Sequence, residues 1–154
     1  HYSGMVLLCF ALVLSPLIEG GHQDHDIANY IASKFKNIVN VYEFPEYNYH
    51  SGIIRSNQFI NEEGDEQYII LSESEKEFKR EALKIYNSEQ KNLSYISVEK
   101  ECYRPIKNYN YFLNPHIGVL FYRRFSFFSW HPKVDKVNPK EISKKIKEDF
   151  NESK

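Results

Sequence analysis

The stretch MVLLCFALVLSPLIEGGHQDHDIANYIASKFKNIVNVYEF, residues 5–44, decides the fold. Its first ten residues are apolar and are followed by a serine and a proline, which is typical of a strand buried at the centre of a parallel sheet. Two glycines then form a flexible turn. A helix is expected to begin close to Asp24, because apolar residues recur after it at helical spacing: Ile27, Ala28, Ile31, Ala32 and Phe35.

A second strand is predicted at residues 38–44, since β-branched and aromatic residues dominate this run and Pro45 ends it. A strand, a turn, a helix and a strand in this order form a βαβ unit with a right-handed crossover. We therefore predict an α/β fold with a Rossmann-like parallel sheet. In such sheets, sites form at the carboxyl ends of strands, and the turn after the first strand lies there.

The remaining chain is predicted to contain fewer regular elements of the same fold. Residues 68–71 indicate a strand, and Ser72 with Glu75 forms a capping box that begins a helix. Four apolar side chains on one side of this helix predict that it packs by that face: Phe78, Ala82, Ile85 and Tyr86. Residues 47–61 are interpreted as a polar and aromatic loop.

The C-terminal third is rich in aromatic residues and then in charge. Tyrosines and phenylalanines between residues 103 and 130 favour a β-rich region, formed as a meander or as loops that close over one edge. Residues 133–154 are highly charged and indicate a solvated helix with frayed ends. The predicted organisation is one α/β domain over residues 1–130 and a charged tail over residues 131–154.

Composition limits the classes of function. The chain has 154 residues and is 42% hydrophobic, which is enough for one domain with a core and too apolar for disorder. Its 20 Lys and Arg residues against 21 Asp and Glu residues give no support for a nucleic-acid partner. The two cysteines, Cys9 and Cys102, have neither zinc-ribbon spacing nor a disulfide framework, which favours a reducing compartment such as the cytoplasm.

The apolar run at residues 5–14 has a second interpretation, a secretory signal. No Lys or Arg precedes it, no small-x-small cleavage site follows it, and ten residues are too few to span a membrane. A buried strand is therefore favoured. The alternative is a small secreted binding protein whose signal peptide covers residues 5–19.

A cluster of polar residues, His22-Gln23-Asp24-His25, lies at the predicted helix start. Two histidines three residues apart project to one side, and a carboxylate between them can fix a tautomer. Neutral imidazole is the usual zinc ligand, but a zinc hydrolase needs three protein ligands, a site for water and a base. The cluster supplies one or two of these, and a solvated polar turn has the same spacing.

Residues 19–26, EGGHQDHD, resemble the second signature of the PIG-L family of zinc-dependent de-N-acetylases. This family, also called LmbE-like, includes N-acetylglucosaminyl-phosphatidylinositol deacetylase. Three further stretches are similar to the family in the expected order: YEFPEY at 42–47, KIYNSEQ at 84–90 and ECYRP at 101–105. With a looser likeness at 118–122, the resemblance covers roughly residues 12–122.

The resemblance implies a Zn²⁺ cofactor and an N-acetylated sugar or sugar conjugate as substrate. His25 would be a zinc ligand. His22 would be the acid that stabilises the oxyanion and protonates the departing amine, and Asp24 would orient His22. An amide cleavage needs both actions, since it passes through a tetrahedral oxyanion and its amine cannot leave without a proton.

Three further residues are candidates for substrate binding. The family likeness suggests that His50 lies near the substrate pocket, and its alternative is an exposed loop histidine. Glu43 and Tyr47 are of the types that bind sugar hydroxyls and pack on sugar rings, and their alternative is packing at the end of a strand. His116 is expected to be solvated.

One departure from the family pattern is large. Members carry an earlier His-Pro-Asp-Asp signature that supplies a zinc-binding His and Asp and the catalytic base. The single His-Pro pair of this sequence, His131-Pro132, follows the second signature and continues as Lys-Val. We therefore expect a carboxyl-terminal part of a PIG-L-like enzyme, inactive alone, or a degenerate member that acts through its surface. Arg123 is expected in a late strand where the family would have an acidic residue.

Overall fold

A computed structural model describes residues 12–86, 88, 93–123, 127, 130–132 and 139–152. The strands of this part of the chain are β1 (Leu12–Pro16), β2 (Asn40–Phe44), β3 (Tyr47–Asn48), β4 (Arg55–Ser56), β5 (Gln67–Ile70) and β6 (Lys100–Pro105). Its helices are α1 (Gln23–Ser33), α2 (Glu73–Ile85) and α3 (Pro139–Glu152), with a short 3₁₀ helix at Phe121–Arg123. Cys9 and most of the apolar run lie outside the described residues.

The βαβ unit predicted from residues 5–44 is confirmed. β1 and β2 pair in parallel, with Leu12 opposite Asn40 and Pro16 opposite Phe44. α1 connects them and begins one residue before Asp24. The spacing of the apolar residues, the two glycines and Pro45 were sufficient to predict this unit, because each of them acts on residues close to it in the sequence.

The sheet is mixed, so the prediction of a parallel sheet is wrong beyond the first pair. Its strand order is β1-β2-β6-β5, and β6 is antiparallel to both of its neighbours. The chain leaves β5 through α2 but enters β6 beside the end of β5, where Ile70 lies opposite Lys100. A return at the same end of the sheet reverses the strand direction. The class is therefore α/β with one parallel pair.

The two faces of the sheet differ in burial. Alternation along β1 and β2 turns Ser15 and Val41 toward the interior, where each is 5% exposed or less. On the opposite face, Leu12 is 62% and Leu14 is 57% exposed. The prediction that this strand is buried on both faces is wrong for its described residues, because the part of the chain described leaves the second face open.

Helix α2 begins as predicted. The Glu75 N–H lies 3.4 Å from Ser72 Oγ, and the Ser72 N–H donates to the Glu75 carboxylate at 2.8 Å, which completes the capping box.

The predicted packing of α2 is wrong. Phe78 and Ile85, on its apolar face, are each 77% exposed. The helix instead turns lysines toward β6 and the residue before it: Lys79 Nζ pairs with the Glu101 carboxylate, and Lys76 Nζ lies 2.7 Å from the Glu99 carboxylate. Ion pairs, and not the burial of an apolar face, therefore determine which side of α2 faces the rest of the fold.

The aromatic region after β6 is not β-rich. Its described residues from 106 to 120 form turns and irregular backbone, and Arg123 lies in the 3₁₀ helix rather than in a strand. Asparagine, proline and glycine interrupt the segment and favour turns. The aromatic rings pack edge to face instead, as Tyr109 and Tyr111 do with centroids 5.8 Å apart. The loop alternative thus describes this region better than the meander.

Two further segments are more ordered than expected. Residues 47–61 contain the short β3–β4 hairpin, with Asn48 opposite Arg55. In the charged C-terminal segment, α3 lies against α1, where Ile146 is 7% exposed and the Tyr30 hydroxyl donates to Asp149 at 2.8 Å. α3 is therefore solvated on only part of its surface.

A buried ion cluster, formed by Glu43, Arg104, Glu66, Asn29 and Tyr109, lies at the centre of the fold. The Arg104 guanidinium donates from Nε to Glu43 and from Nη1 to Glu66, each at 2.9 Å. Asn29 on α1 donates to Glu43 at 3.1 Å, and the Tyr109 hydroxyl also donates to Glu43. The cluster therefore connects α1, β2 and β6 through charged hydrogen bonds.

Candidate active site

The two histidines of the polar cluster lie side by side after the carboxyl end of β1. His22 is the N-cap of α1, and His25 follows in its first turn. Their ring centroids are 5.3 Å apart and their planes are inclined by 43°. The three-residue spacing at a helix start brings the rings together, and the β1–α1 turn presents them at one end of the sheet.

His22 is held by the backbone of Asp24. The Asp24 N–H donates to Nδ1 of His22 at 3.2 Å, while the Asp24 carboxylate lies 3.7 Å from the same nitrogen. Because Nδ1 accepts a hydrogen bond, the neutral ring carries its proton on Nε2. Asp24 therefore orients His22 through its amide, and its carboxylate, at 75% exposure, acts only through charge.

His25 is more enclosed and faces a carboxylate. Its Nδ1 is buried and lies 3.2 Å from Oε2 of Glu46, an ion-pair distance at which the two groups are not aligned as a hydrogen bond. Burial lowers the pKa of His25 below its usual value, against the opposing effect of Glu46. The ring is therefore neutral at pH 7, the form that binds metals.

A carboxylate at one ring nitrogen is the usual setting of a histidine that binds a metal through the other nitrogen. In His25, Glu46 faces Nδ1, so Nε2 is the nitrogen that remains for a ligand. Glu46 was not among the site residues predicted from the sequence. The signal that was available is its position two residues after β2, beside the parallel strand that leads to the histidines.

Two buried carboxylates lie behind the histidines. Glu19 is 1% exposed, and its Oε1 accepts the N–H groups of Glu46 at 2.6 Å and Tyr47 at 2.9 Å. Asp26 is 4% exposed, and its Oδ1 accepts the N–H groups of Glu19 and Gly20, both at 3.1 Å. Burial raises the pKa of Glu19 to about 8 and that of Asp26 to about 7.

The glycine turn is tightly packed rather than flexible. Gly20 has φ of +65°, which favours glycine, and a Cβ there would overlap the side chain of Leu120. A Cβ at Gly21 would overlap the carbonyl oxygen of Tyr47. Gly20 therefore allows the β1–α1 turn to lie directly against Leu120, and Gly21 allows it to lie against the backbone of Tyr47.

The substrate-binding candidates separate into two groups. Tyr47 lies beside the site, with its ring centroid 6.0 Å from that of His25 and 4.9 Å from that of Phe121. Glu43 is fully buried, and both of its oxygens are bonded inside the ion cluster. For Glu43 the structure shows strand-end packing, the alternative to a sugar contact.

His50 lies at a second pair of histidines. Its ring centroid is 5.1 Å from that of His116. His116 Nε2 lies 3.1 Å from the carbonyl oxygen of Glu19, and its Nδ1 accepts the Gly118 N–H at 3.0 Å. The expectation that His116 is solvated is wrong, because it is half-buried and bonded at both nitrogens, and the burial lowers its pKa.

An open groove of about 690 Å³ runs between α1 and α3 and reaches Asp24. Its wall along α1 is largely apolar, with Ile27, Ile31 and Phe35. Lys34 and Lys145 add positive charge to its lining, and Asp24 and Asp149 add negative charge. The groove thus provides an amphipathic surface beside the exposed end of the site.

In the part of the chain that the structure describes, no three His, Cys, Asp or Glu side chains come together as a metal-binding group. No described helix combines the length and the apolar character needed to cross a membrane. Comparisons with protein-family models, with curated proteins and with solved structures found no match to this chain.

Proposed function

We propose that this chain carries part of the centre of a zinc-dependent amide hydrolase that deacetylates N-acetylated sugars or sugar conjugates. The observation that supports this proposal best is the pairing of His25 Nδ1 with Glu46 at 3.2 Å, beside a second imidazole at the end of β1. The resemblance of residues 19–26 to the PIG-L family supplies the reaction and its substrate class, within a Rossmann-like fold.

The described residues fit zinc as one ligand of a larger set. His25 would hold the metal through Nε2, with Glu46 fixing the ring from the other side. A catalytic zinc site uses three protein ligands, and the resemblance assigns the other two and the base to a His-Pro-Asp-Asp segment that this sequence lacks. Zinc, when bound, activates water and polarises a carbonyl. This chain alone is therefore expected to be inactive.

His22 has the position of the acid in this reaction. It is 43% exposed, and its Nε2 is available because Nδ1 is occupied by the backbone. A protonated His22, which gives up the bond from the Asp24 N–H at Nδ1, would donate a hydrogen bond from Nε2 to the oxyanion and then transfer that proton to the amine.

The regions next to the histidines suit the rest of a sugar conjugate. Tyr47 offers an aromatic face close to His25. His50 contacts His116, which lies 3.1 Å from the carbonyl oxygen of Glu19 in the β1–α1 turn. The groove that reaches Asp24 has room for a group attached to the sugar. Of the three substrate-binding candidates, we retain Tyr47 and His50.

The test uses the full-length product of the gene that encodes this chain. We expect it to contain about one zinc ion per chain by elemental analysis and to release acetate from N-acetylglucosamine conjugates. Removal of the metal with a chelator should abolish acetate release, and added zinc should restore it. A product without zinc, or one whose acetate release is unchanged by chelation, would contradict the proposal.

A further inference from the structure

The β1–α1 turn and the β2–β3 connection contact each other close to the two histidines of the polar cluster. The β1–α1 turn carries Glu19 and leads to His22 and His25, whereas the β2–β3 connection carries Glu46. The side chain of Glu46 approaches His25, but its backbone N–H is bonded to the Glu19 carboxylate at 2.6 Å. The position of Glu46 thus depends on a residue of the other turn.

Glu19 is fixed at every polar group that it possesses. Its N–H donates to Asp26 and its carbonyl oxygen lies 3.1 Å from His116 Nε2. One carboxylate oxygen accepts two backbone N–H groups, and the other lies 3.4 Å from Nδ2 of Asn48. Because the residue is 1% exposed, water does not compete for these bonds. Glu19 is therefore a rigid connection between the two turns.

Joining two turns through a buried carboxylate has a cost in free energy. Removing an ionisable group from water is unfavourable unless hydrogen bonds within the protein compensate for the lost hydration. Burial accordingly raises the pKa of Glu19 to about 8. An apolar side chain would fill the same space but would leave the N–H groups of Glu46 and Tyr47 without this acceptor. The hydrogen bonds, and not the volume of the side chain, explain why an acid stands here.

We infer that Glu19 is a positioning residue of the site: through the backbone of Glu46 it holds the Glu46 carboxylate against Nδ1 of His25. The negative charge of Glu46, 3.2 Å from Nδ1, then favours the tautomer of neutral His25 that has its proton on Nδ1 and leaves Nε2 free of hydrogen. The catalytic consequence of this arrangement rests on the proposed function, but the bond from the Glu46 N–H to Glu19 and the contact of Glu46 with His25 do not depend on it.

The test measures the tautomer of His25 by ¹⁵N NMR of the imidazole nitrogens in the metal-free chain. We expect the Nδ1–H tautomer to dominate in the unmodified protein. Glu46→Gln and Glu19→Ala should each shift the ring toward a mixture of tautomers. Because Glu19 acts through Glu46, the double variant should shift it no further than Glu46→Gln alone.

Two more variants separate positioning from loss of structure. Glu19→Gln should restore the Nδ1–H tautomer, since an amide oxygen can accept the same two N–H groups. Glu19→Asp, shorter by one methylene, should give an intermediate tautomer ratio if Glu19→Ala does not fold. Glu66→Gln removes a different buried carboxylate, bonded to Arg104, and should leave the tautomer of His25 unchanged.

An unchanged tautomer in Glu19→Asp, or a further full shift in the double variant, would overturn the inference. The proposed function has a separate readout. In the zinc-containing full-length product, Glu19→Ala and Glu46→Gln should each raise the zinc Kd about 10–100-fold. If that product binds no zinc, the proposed function fails while the tautomer result still decides the role of Glu19.

Discussion

Replacing His22 with alanine in the full-length gene product should lower the turnover of an N-acetylated sugar about 10²–10⁴-fold and leave the zinc content unchanged. The reason is that His22 is the outer of the two imidazoles, with Nδ1 bonded to the backbone of Asp24 and 43% of its side chain exposed. In the proposed reaction His22 transfers a proton, so its removal would delete that step without removing the proposed metal ligand.

Replacing His25 with alanine should differ in its effect on zinc binding, because zinc would lose a ligand whose Nδ1 faces Glu46. Tight zinc binding should disappear, and turnover should disappear with it. Zinc content by elemental analysis and kcat from acetate release measure the two effects separately. His131→Ala, at an exposed histidine far along the chain, serves as the matched control. Equal zinc affinity in the His22 and His25 variants would contradict the assigned roles.

The second large effect is expected in the buried ion cluster. Arg104→Met should lower the free energy of unfolding by about 3–5 kcal/mol, because it leaves the carboxylates of Glu43 and Glu66 buried without a cation. Such a loss is a large fraction of the 5–15 kcal/mol typical of a folded domain. Urea unfolding with linear extrapolation measures it.

The control for this prediction is an ion pair on the surface. Glu77 and Arg80 form one on α2, with side chains 60% and 41% exposed, so Arg80→Met should change the stability by about 1 kcal/mol at most. Adding Glu43→Gln to Arg104→Met should recover part of the loss, since it removes one of the uncompensated charges. A loss from Arg104→Met no larger than that from Arg80→Met would show that the cluster does not hold the fold together.

The sequence was informative where the determinants are close together in the chain. The β1–α1–β2 unit follows from a run of apolar residues, two glycines and a proline, and the start of α2 follows from Ser72 and Glu75. The orientation of α2 does not follow, because an amphipathic helix can turn either face to the sheet. Ion pairs of Lys76 and Lys79 with residues beyond the helix decide it here.

The same limit applies to the site. His22 and His25 could be placed together because a helix start brings residues three apart to one side. The roles of Glu46 and Glu19 could not be predicted, since their hydrogen bond joins residues 27 apart in sequence. For Glu19 the sequence offered one indication, an acidic residue beside two glycines in a turn between apolar segments. His116, which is 97 residues from its partner Glu19, left no comparable signal.

The central claim, that His25 binds zinc through Nε2 while Glu46 faces its Nδ1, can be tested directly on this chain. Zinc is added in steps while ¹⁵N NMR follows both imidazole nitrogens of each histidine, with Mg²⁺ as a control because it prefers oxygen ligands. We predict that Nε2 of His25 responds first, and that the response persists in His22→Ala and is absent from His25→Ala. A zinc response at the other histidines that precedes or equals the response at His25, or a response at Nδ1 instead of Nε2, would contradict the account.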